Sequence, residues 1–149
     1  MALEPCPTGT ALTWVGIRED HAFDGKARQF LESANEQNLD RLVAMPEVFA
    51  TGFLVGLLEW ACIKAINPHL DWPNEQTVGT HIDVSHEAAT PPGLEAAATV
   101  ELIAVEGKKL IFAVEAHDGI DVVSRGRHER FVINKDKFDA RLGSKAAGA

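Results

Sequence analysis

Residues 46–65 read Pro-Glu-Val-Phe-Ala-Thr-Gly-Phe-Leu-Val-Gly-Leu-Leu-Glu-Trp-Ala-Cys-Ile-Lys-Ala. Wound as a helix, this stretch carries apolar side chains on nearly every side: Phe53, Leu54, Val55, Leu57, Leu58, Trp60, Ala61, Cys62 and Ile63. A helix that is apolar all round is expected to be buried. Its start is expected at or near Thr51, a good N-cap residue, with Pro46 upstream disfavouring a helix that runs straight through. Its end is expected at Asn67-Pro68, because proline lacks the N–H and its ring clashes with the preceding turn. About four turns result, at ~3.6 residues per turn. One carboxylate, Glu59, stands in the middle. An acid in a buried helix is costly unless it is paired or put to use, so Glu59 is the first candidate functional residue.

Downstream the apolar pattern changes to period two. Residues 77–85 read as a strand, 88–93 as a Pro-Pro-Gly turn, and 94–105 as a second strand with Leu94, Ala96, Ala98, Val100, Leu102 and Ala104 on one face. Glu106-Gly-Lys-Lys109 makes a hairpin to residues 110–116, where Leu110, Phe112 and Val114 point inward. A turn at 117–120 then leads to a last strand over 121–133. Acid-Gly turns between alternating runs are strong hairpin signals. Upstream, residues 10–17 read as a first strand and 26–44 as a short helix or two. Residues 135–142 suggest a terminal helix, and 143–149 a frayed tail. The simplest packing of strand, helix and four hairpin-linked strands lays an antiparallel sheet around the one apolar helix, an α+β fold in a single domain over residues 1–149.

The totals exclude several classes. The longest apolar run, residues 52–58, is far short of the ~20 residues of a membrane span. The N-terminus shows no basic segment followed by an apolar core, so a cytoplasmic home is expected. A net charge of −8 argues against coating nucleic acid or an anionic membrane. With Cys6 near a loose terminus and Cys62 in the buried helix, no disulfide between them is expected, and two cysteines alone make no zinc framework.

Several motifs narrow the arrangement: Pro46-Glu-Val-Phe-Ala-Thr-Gly-Phe53, Gly56-Leu57, Glu59-Trp-Ala-Cys62, Ala88-Ala-Thr-Pro-Pro-Gly-Leu94, Val105-Glu-Gly107, Ala116-His-Asp-Gly119 and His128-Glu-Arg130. In this order and at this spacing, from about residue 45 to residue 138, the chain resembles the hotdog-fold acyl-CoA thioesterases of the fluoroacetyl-CoA type. The resemblance implies hydrolysis of a short-chain acyl-CoA without a cofactor, in a homodimer whose sheets join edge to edge. It implies a catalytic set of Thr51, Glu59 and His86, with acyl-CoA contacts at Gly79 and Arg130. Upstream of the Pro-Glu-Val-Phe motif, Leu42 and Met45 stand where the fluoroacetyl enzyme carries aromatic residues over the acyl group. A weaker preference for fluoroacetyl over acetyl follows, since a ring meets a C–F group differently from a thioether.

Thioester hydrolysis needs a nucleophile, a base and donors for the developing oxyanion. The hydroxyl of Thr51, at a helix start, can act as nucleophile or hold a water, and the N–H groups of Gly52 and its neighbours can face the oxyanion. Glu59 can orient a histidine or act on water, and an imidazole at the end of the 77–85 strand, His86, is a natural base for a hydroxyl. Each residue also has a plainer reading. Thr51 can serve only as an N-cap, Glu59 as a structural acid paired with an arginine, and His86 as a solvated bystander. Arg125, Arg127 and Arg130 can be an edge-strand charge run or an anion site for coenzyme A phosphates. His81, Asp83 and His86 offer a metal set, to be completed only by His117 or His128, although parity separates His86 from the other two. Trp14, Trp60 and Trp72 read as core and packing residues rather than stacking platforms. The rival to catalysis is a hotdog module that binds acyl-CoA without turning it over.

Overall fold

The computed structural model describes residues 12–15 and 46–148. Strand β1 spans Leu12–Val15, helix α1 Thr51–Ile66, and a 3-10 turn Asn67–His69. Strands β2 (Glu75–Val84), β3 (Ala97–Glu106), β4 (Lys109–His117) and β5 (Val122–Asn134) follow, then helix α2 (Lys135–Ala147). Every neighbouring pair in the sheet is antiparallel, in the order β1-β3-β4-β5-β2. The first strand after the helix therefore lies beside the last one and forms an edge. Tight hairpins explain the inner order: Glu106 pairs with Lys109 around Gly107, whose φ of 64° suits a residue without a Cβ.

Helix α1 packs on one face of this sheet. Leu54, Leu57, Leu58, Ala61, Cys62 and Ile66 enter a common core with Ala98 and Val100 of β3, Leu110, Phe112, Val114 and Ala116 of β4, and Val132 of β5. Each fully buried leucine here contributes about 1.5–3 kcal/mol by leaving water. The expected α+β architecture and the bounds of α1 match the structure. Among the described residues no helix is long and apolar enough to cross a membrane.

Several expectations need correction. A single sheet covers only one side of a helix, so α1 is not buried all round: Phe53 is 37% and Trp60 49% exposed. Trp60 and Trp72 (55% exposed) are thus not core residues. The alternation expected in β3 breaks at Ile103, an inserted residue that shifts the register between Leu102 and Ala104. Ala104 then pairs with Ile111 on the outer face, and Val105 with Leu110 on the inner one. Strand β5 is internal, so Arg125 and Arg127 do not blunt an edge; Arg125 bonds Glu115 and lies 3.6 Å from Glu87. Helix α2 runs on to Ala147, with Asn134 capping it through Lys137 N–H. The segment 26–44, where a helix is expected, Leu42, Met45 and the side chain of Trp14 lie outside the described residues.

Candidate active site

Helix α1 begins with Ala50 as its N-cap, in extended conformation and with no side-chain cap. Thr51, the expected cap, is instead the first helical residue, and its hydroxyl is spent differently. Thr51 Oγ1 lies 2.8 Å from His86 Nδ1. His86 reaches this position because both of its backbone neighbours are tied to β5. Ser85 N–H donates to the Arg125 carbonyl (2.9 Å), and Glu87 N–H to the Val123 carbonyl (2.8 Å). The other ring nitrogen, His86 Nε2, is buried and has no hydrogen-bond partner among the described residues. If Thr51 donates to Nδ1, the neutral imidazole carries its proton on Nε2 and waits for an acceptor.

Fewer helix-start donors remain than the sequence suggested. The N–H groups of Phe53 and Leu54 both bond the Ala50 carbonyl, each at 3.0 Å. Gly52 N–H keeps no partner among the described residues, in an exposed position beside Thr51. Backed by the partial positive charge of a 16-residue helix, it can receive a developing oxyanion.

Glu59 lies elsewhere on the same helix, among residues of the sheet. Its Oε1 is 3.5 Å from His128 Nε2 and 3.8 Å from Arg130 Nη1. Neither distance is a good hydrogen bond; only the approach to Arg130 joins two charged groups, and the Glu59 side chain is 42% exposed. The space it occupies is created by Gly79: a Cβ there would stand 2.4 Å from Glu59 Oε1 and 3.2 Å from His128 Cε1. Gly79 pairs with Arg130 across β2 and β5, so the two share a face of the sheet.

Arg130 is 3% exposed and fully engaged. It donates Nε to Thr77 Oγ1 (2.9 Å), Nη2 to the Thr77 carbonyl (3.0 Å) and Nη1 to His128 Nε2 (2.9 Å). Burial holds its pKa below the ordinary value, with Glu59 opposing, and a guanidinium remains charged regardless. His128, 1% exposed, donates Nδ1–H to the His81 carbonyl at 2.8 Å. Its Nε2 is then the acceptor for Arg130, which requires a neutral ring. Burial lowers the His128 pKa, Arg130 adds to this, and the His81 bond opposes it.

The structure thus joins Thr51 with His86, and Glu59 with Gly79 and Arg130. The neighbour to which sequence reasoning gave no role beside Glu59 is His128, named only within the His-Glu-Arg motif and as a possible metal ligand. Its parity with Arg130 on β5 was the available signal. His81 and Asp83 lie on the outer face opposite Glu129 and Arg127, away from the Thr51–His86 pair. Among the described residues no three His, Cys, Asp or Glu side chains gather into a metal site.

A hot-dog-like protein from Thermanaerovibrio acidaminovorans superposes with a TM-score of 0.70 at 19% identity, over 93% of this chain and 92% of that one, and places the architecture in the hotdog class. The family is narrower. Residues 33–136 match the profile of the fluoroacetyl-CoA-specific thioesterases (FlK), and the chain belongs to that family. The fluoroacetyl-CoA thioesterase of Streptantibioticus cattleyicolor is 55% identical over 100 residues, which are 67% of this chain and 71% of that protein. The solved fluoroacetyl-CoA thioesterase FlK superposes with a TM-score of 0.80 at 42% identity, over 95% of this chain and 98% of that chain. A variant of it in complex with fluoroacetate and CoA gives 0.76 at 44% identity, over 90% and 98%.

Proposed function

We propose that this protein is an enzyme that hydrolyses short-chain acyl-CoA thioesters, fluoroacetyl-CoA among the candidates, using Thr51, His86 and Glu59. The observation that carries this reading is the 2.8 Å contact between Thr51 Oγ1 and His86 Nδ1 at the open N-terminus of α1. A hydroxyl needs a base to attack a thioester, and an imidazole within hydrogen-bond reach is that base. Thr51 Oγ bonds the acyl carbon as its proton passes to His86 Nδ1. The carbonyl oxygen gathers negative charge beside Gly52 N–H. The C–S bond then breaks, and His86 returns the proton to the leaving thiolate. Water, deprotonated by the same imidazole, then attacks the acyl carbon; the bond to Thr51 Oγ breaks, the imidazolium returns the proton to Oγ, and the free acid leaves. Relatives solved with fluoroacetate and CoA, and with acetyl-CoA, support the substrate class.

Glu59 completes the set from a second copy of the chain. Eight residues separate it from Thr51, about 12 Å along α1 at ~1.5 Å per residue, so one chain does not bring it to its own His86. The buried His86 Nε2 needs an acceptor, and the Glu59 carboxylate has no strong hydrogen bond. Strand β2 is a ten-residue edge that carries Gly79, on which Glu59 rests, and leads to His86. Pairing two such edges around a two-fold axis makes the contact reciprocal, setting Glu59 of one copy toward the Thr51–His86 pair of the other. Gly79 and Arg130 line the acyl end; burial makes Arg130 unsuited to the exposed phosphates of coenzyme A.

The test is hydrolysis of acetyl-, fluoroacetyl- and longer acyl-CoAs, with the free thiol detected. Wild-type turnover, with kcat falling at least ~10²-fold in Thr51→Ala and His86→Ala, is expected for a nucleophile and its base. Folded wild-type protein that binds acyl-CoA but turns none over refutes the catalytic reading.

A further inference from the structure

The Ala116-His-Asp-Gly119 motif has no part in this chemistry, yet Asp118 is 8% exposed and carries a full set of partners. Its Oδ1 accepts from Ile120 N–H (3.0 Å) and Asp121 N–H (2.9 Å), closing the connection between β4 and β5. Its Oδ2 accepts from Thr90 Oγ1 at 3.1 Å. Backbone and hydroxyl donors hold the carboxyl below its ordinary pKa and keep it charged at neutral pH.

Thr90, 3% exposed, lies on the loop four residues beyond His86. Its carbonyl accepts from Phe49 N–H at 2.9 Å, two residues before Thr51. One residue therefore holds the segment that enters α1 through its carbonyl, and the β4–β5 turn through its hydroxyl. His86 has its own anchors on β5 through Ser85 and Glu87. Thr51 lacks a capping bond, and among the described residues segment 46–50 has no other backbone hydrogen bond to the sheet or its loops.

We infer that Thr90 and Asp118 are positioning residues for the Thr51–His86 pair. The carboxylate fixes the Thr90 hydroxyl, the Thr90 carbonyl fixes Phe49, and Thr51 is thereby held within hydrogen-bond reach of His86. This rests on the thioesterase reading for its consequence in rate, but not for its geometry. Both side chains are buried, Thr90 3% and Asp118 8% exposed, so the effect should appear in kcat rather than in KM. A loss of register on the order of 1 Å at a reacting pair costs up to ~10²-fold.

The experiment pairs Thr90→Val, which keeps the shape and deletes the hydroxyl, with Thr90→Ser, which restores it. Steady-state kinetics on acetyl-CoA are read beside the His86 imidazole 15N shifts. Thr90→Val should lower kcat at least ~10-fold with KM within about twofold, and move the Nδ1 shift toward its value in Thr51→Ala. Thr90→Ser should return both. Asp118→Asn, whose amide still accepts from the turn and donates to Thr90, should stay near wild type, whereas Asp118→Ala should match Thr90→Val. If Thr90→Val fails to fold, Asp118→Ala carries the comparison. A Thr90→Val protein with an unmoved Nδ1 shift, or equal losses in Val and Ser, overturns the inference. The shift is readable even if the wild type shows no turnover, so failure of the thioesterase reading and failure of the brace are told apart.

Discussion

Replacing Gly79 by alanine separates the catalytic use of Glu59 from its structural cost. The new Cβ would stand 2.4 Å from Glu59 Oε1, and the carboxylate has to retreat about 1 Å to reach ordinary contact. The retreat is easy: Oε1 ends a flexible side chain that is 42% exposed and held by no short hydrogen bond. The His128 ring, 3.2 Å from the new atom, has to give by a few tenths of an ångström. Against this, glycine inside a strand is less stable than alanine by roughly 0.5–1 kcal/mol. The melting temperature should therefore move little. Activity should not be spared, because a group displaced by about 1 Å can lose ~10²-fold in rate, or about 2.7 kcal/mol of transition-state stabilisation. The assay is kcat and KM for acetyl-CoA beside a thermal melt. A variant with wild-type kcat and an unchanged melt refutes the claim that the position of Glu59 matters. A variant that fails to fold refutes the claim that Glu59 yields.

Two further outcomes follow from buried contacts. The His128 pKa is held below the ordinary imidazole value of 6.5, chiefly by burial. The folded state therefore binds fewer protons than the unfolded state in that window. Stability should be full above pH 6.5 and decline as pH falls below it; melts from pH 7.5 to 5 should show a slope that flattens in His128→Asn. Gly126→Ala should be destabilised by about 3 kcal/mol or more in a denaturant titration, because overpacking against backbone has no soft escape. Its Cβ would meet the Asp83 carbonyl oxygen at 2.1 Å and Val84 Cα at 2.7 Å.

Local signals in the sequence located most of the fold. Prolines at 46 and 68 bracket α1, and the helix occupies Thr51–Ile66 as expected. Acid-Gly pairs mark the hairpins, and Gly107 and Gly119 do adopt positive φ. Non-local facts were not legible. The pairing of β2 with β5 depends on which edge lies free when the meander closes, and no residue in β2 announces it. The bulge at Ile103 reversed the facing of Ala104 and Val105 because one inserted residue inverts every later side chain. At the site, Thr51 and His86 could be named from motifs, and the structure sets Thr51 Oγ1 2.8 Å from His86 Nδ1. Glu59 stands eight residues beyond Thr51 in α1. The axial rise along the helix separates them, and Glu59 belongs with His128 and Arg130 in its own chain.

Whether an active site is shared between two copies is tested most directly by complementation. Thr51→Ala and Glu59→Ala chains, carrying different affinity tags, are co-expressed, and the species bearing both tags is isolated and assayed on acetyl-CoA. In a shared arrangement each mixed dimer contains one complete site, with Thr51 and His86 from the Glu59→Ala chain and Glu59 from the Thr51→Ala chain. Such dimers should recover roughly half of wild-type turnover, while each parent alone stays near zero. Mixed dimers as inactive as their parents would place the whole catalytic set within one chain and contradict the account.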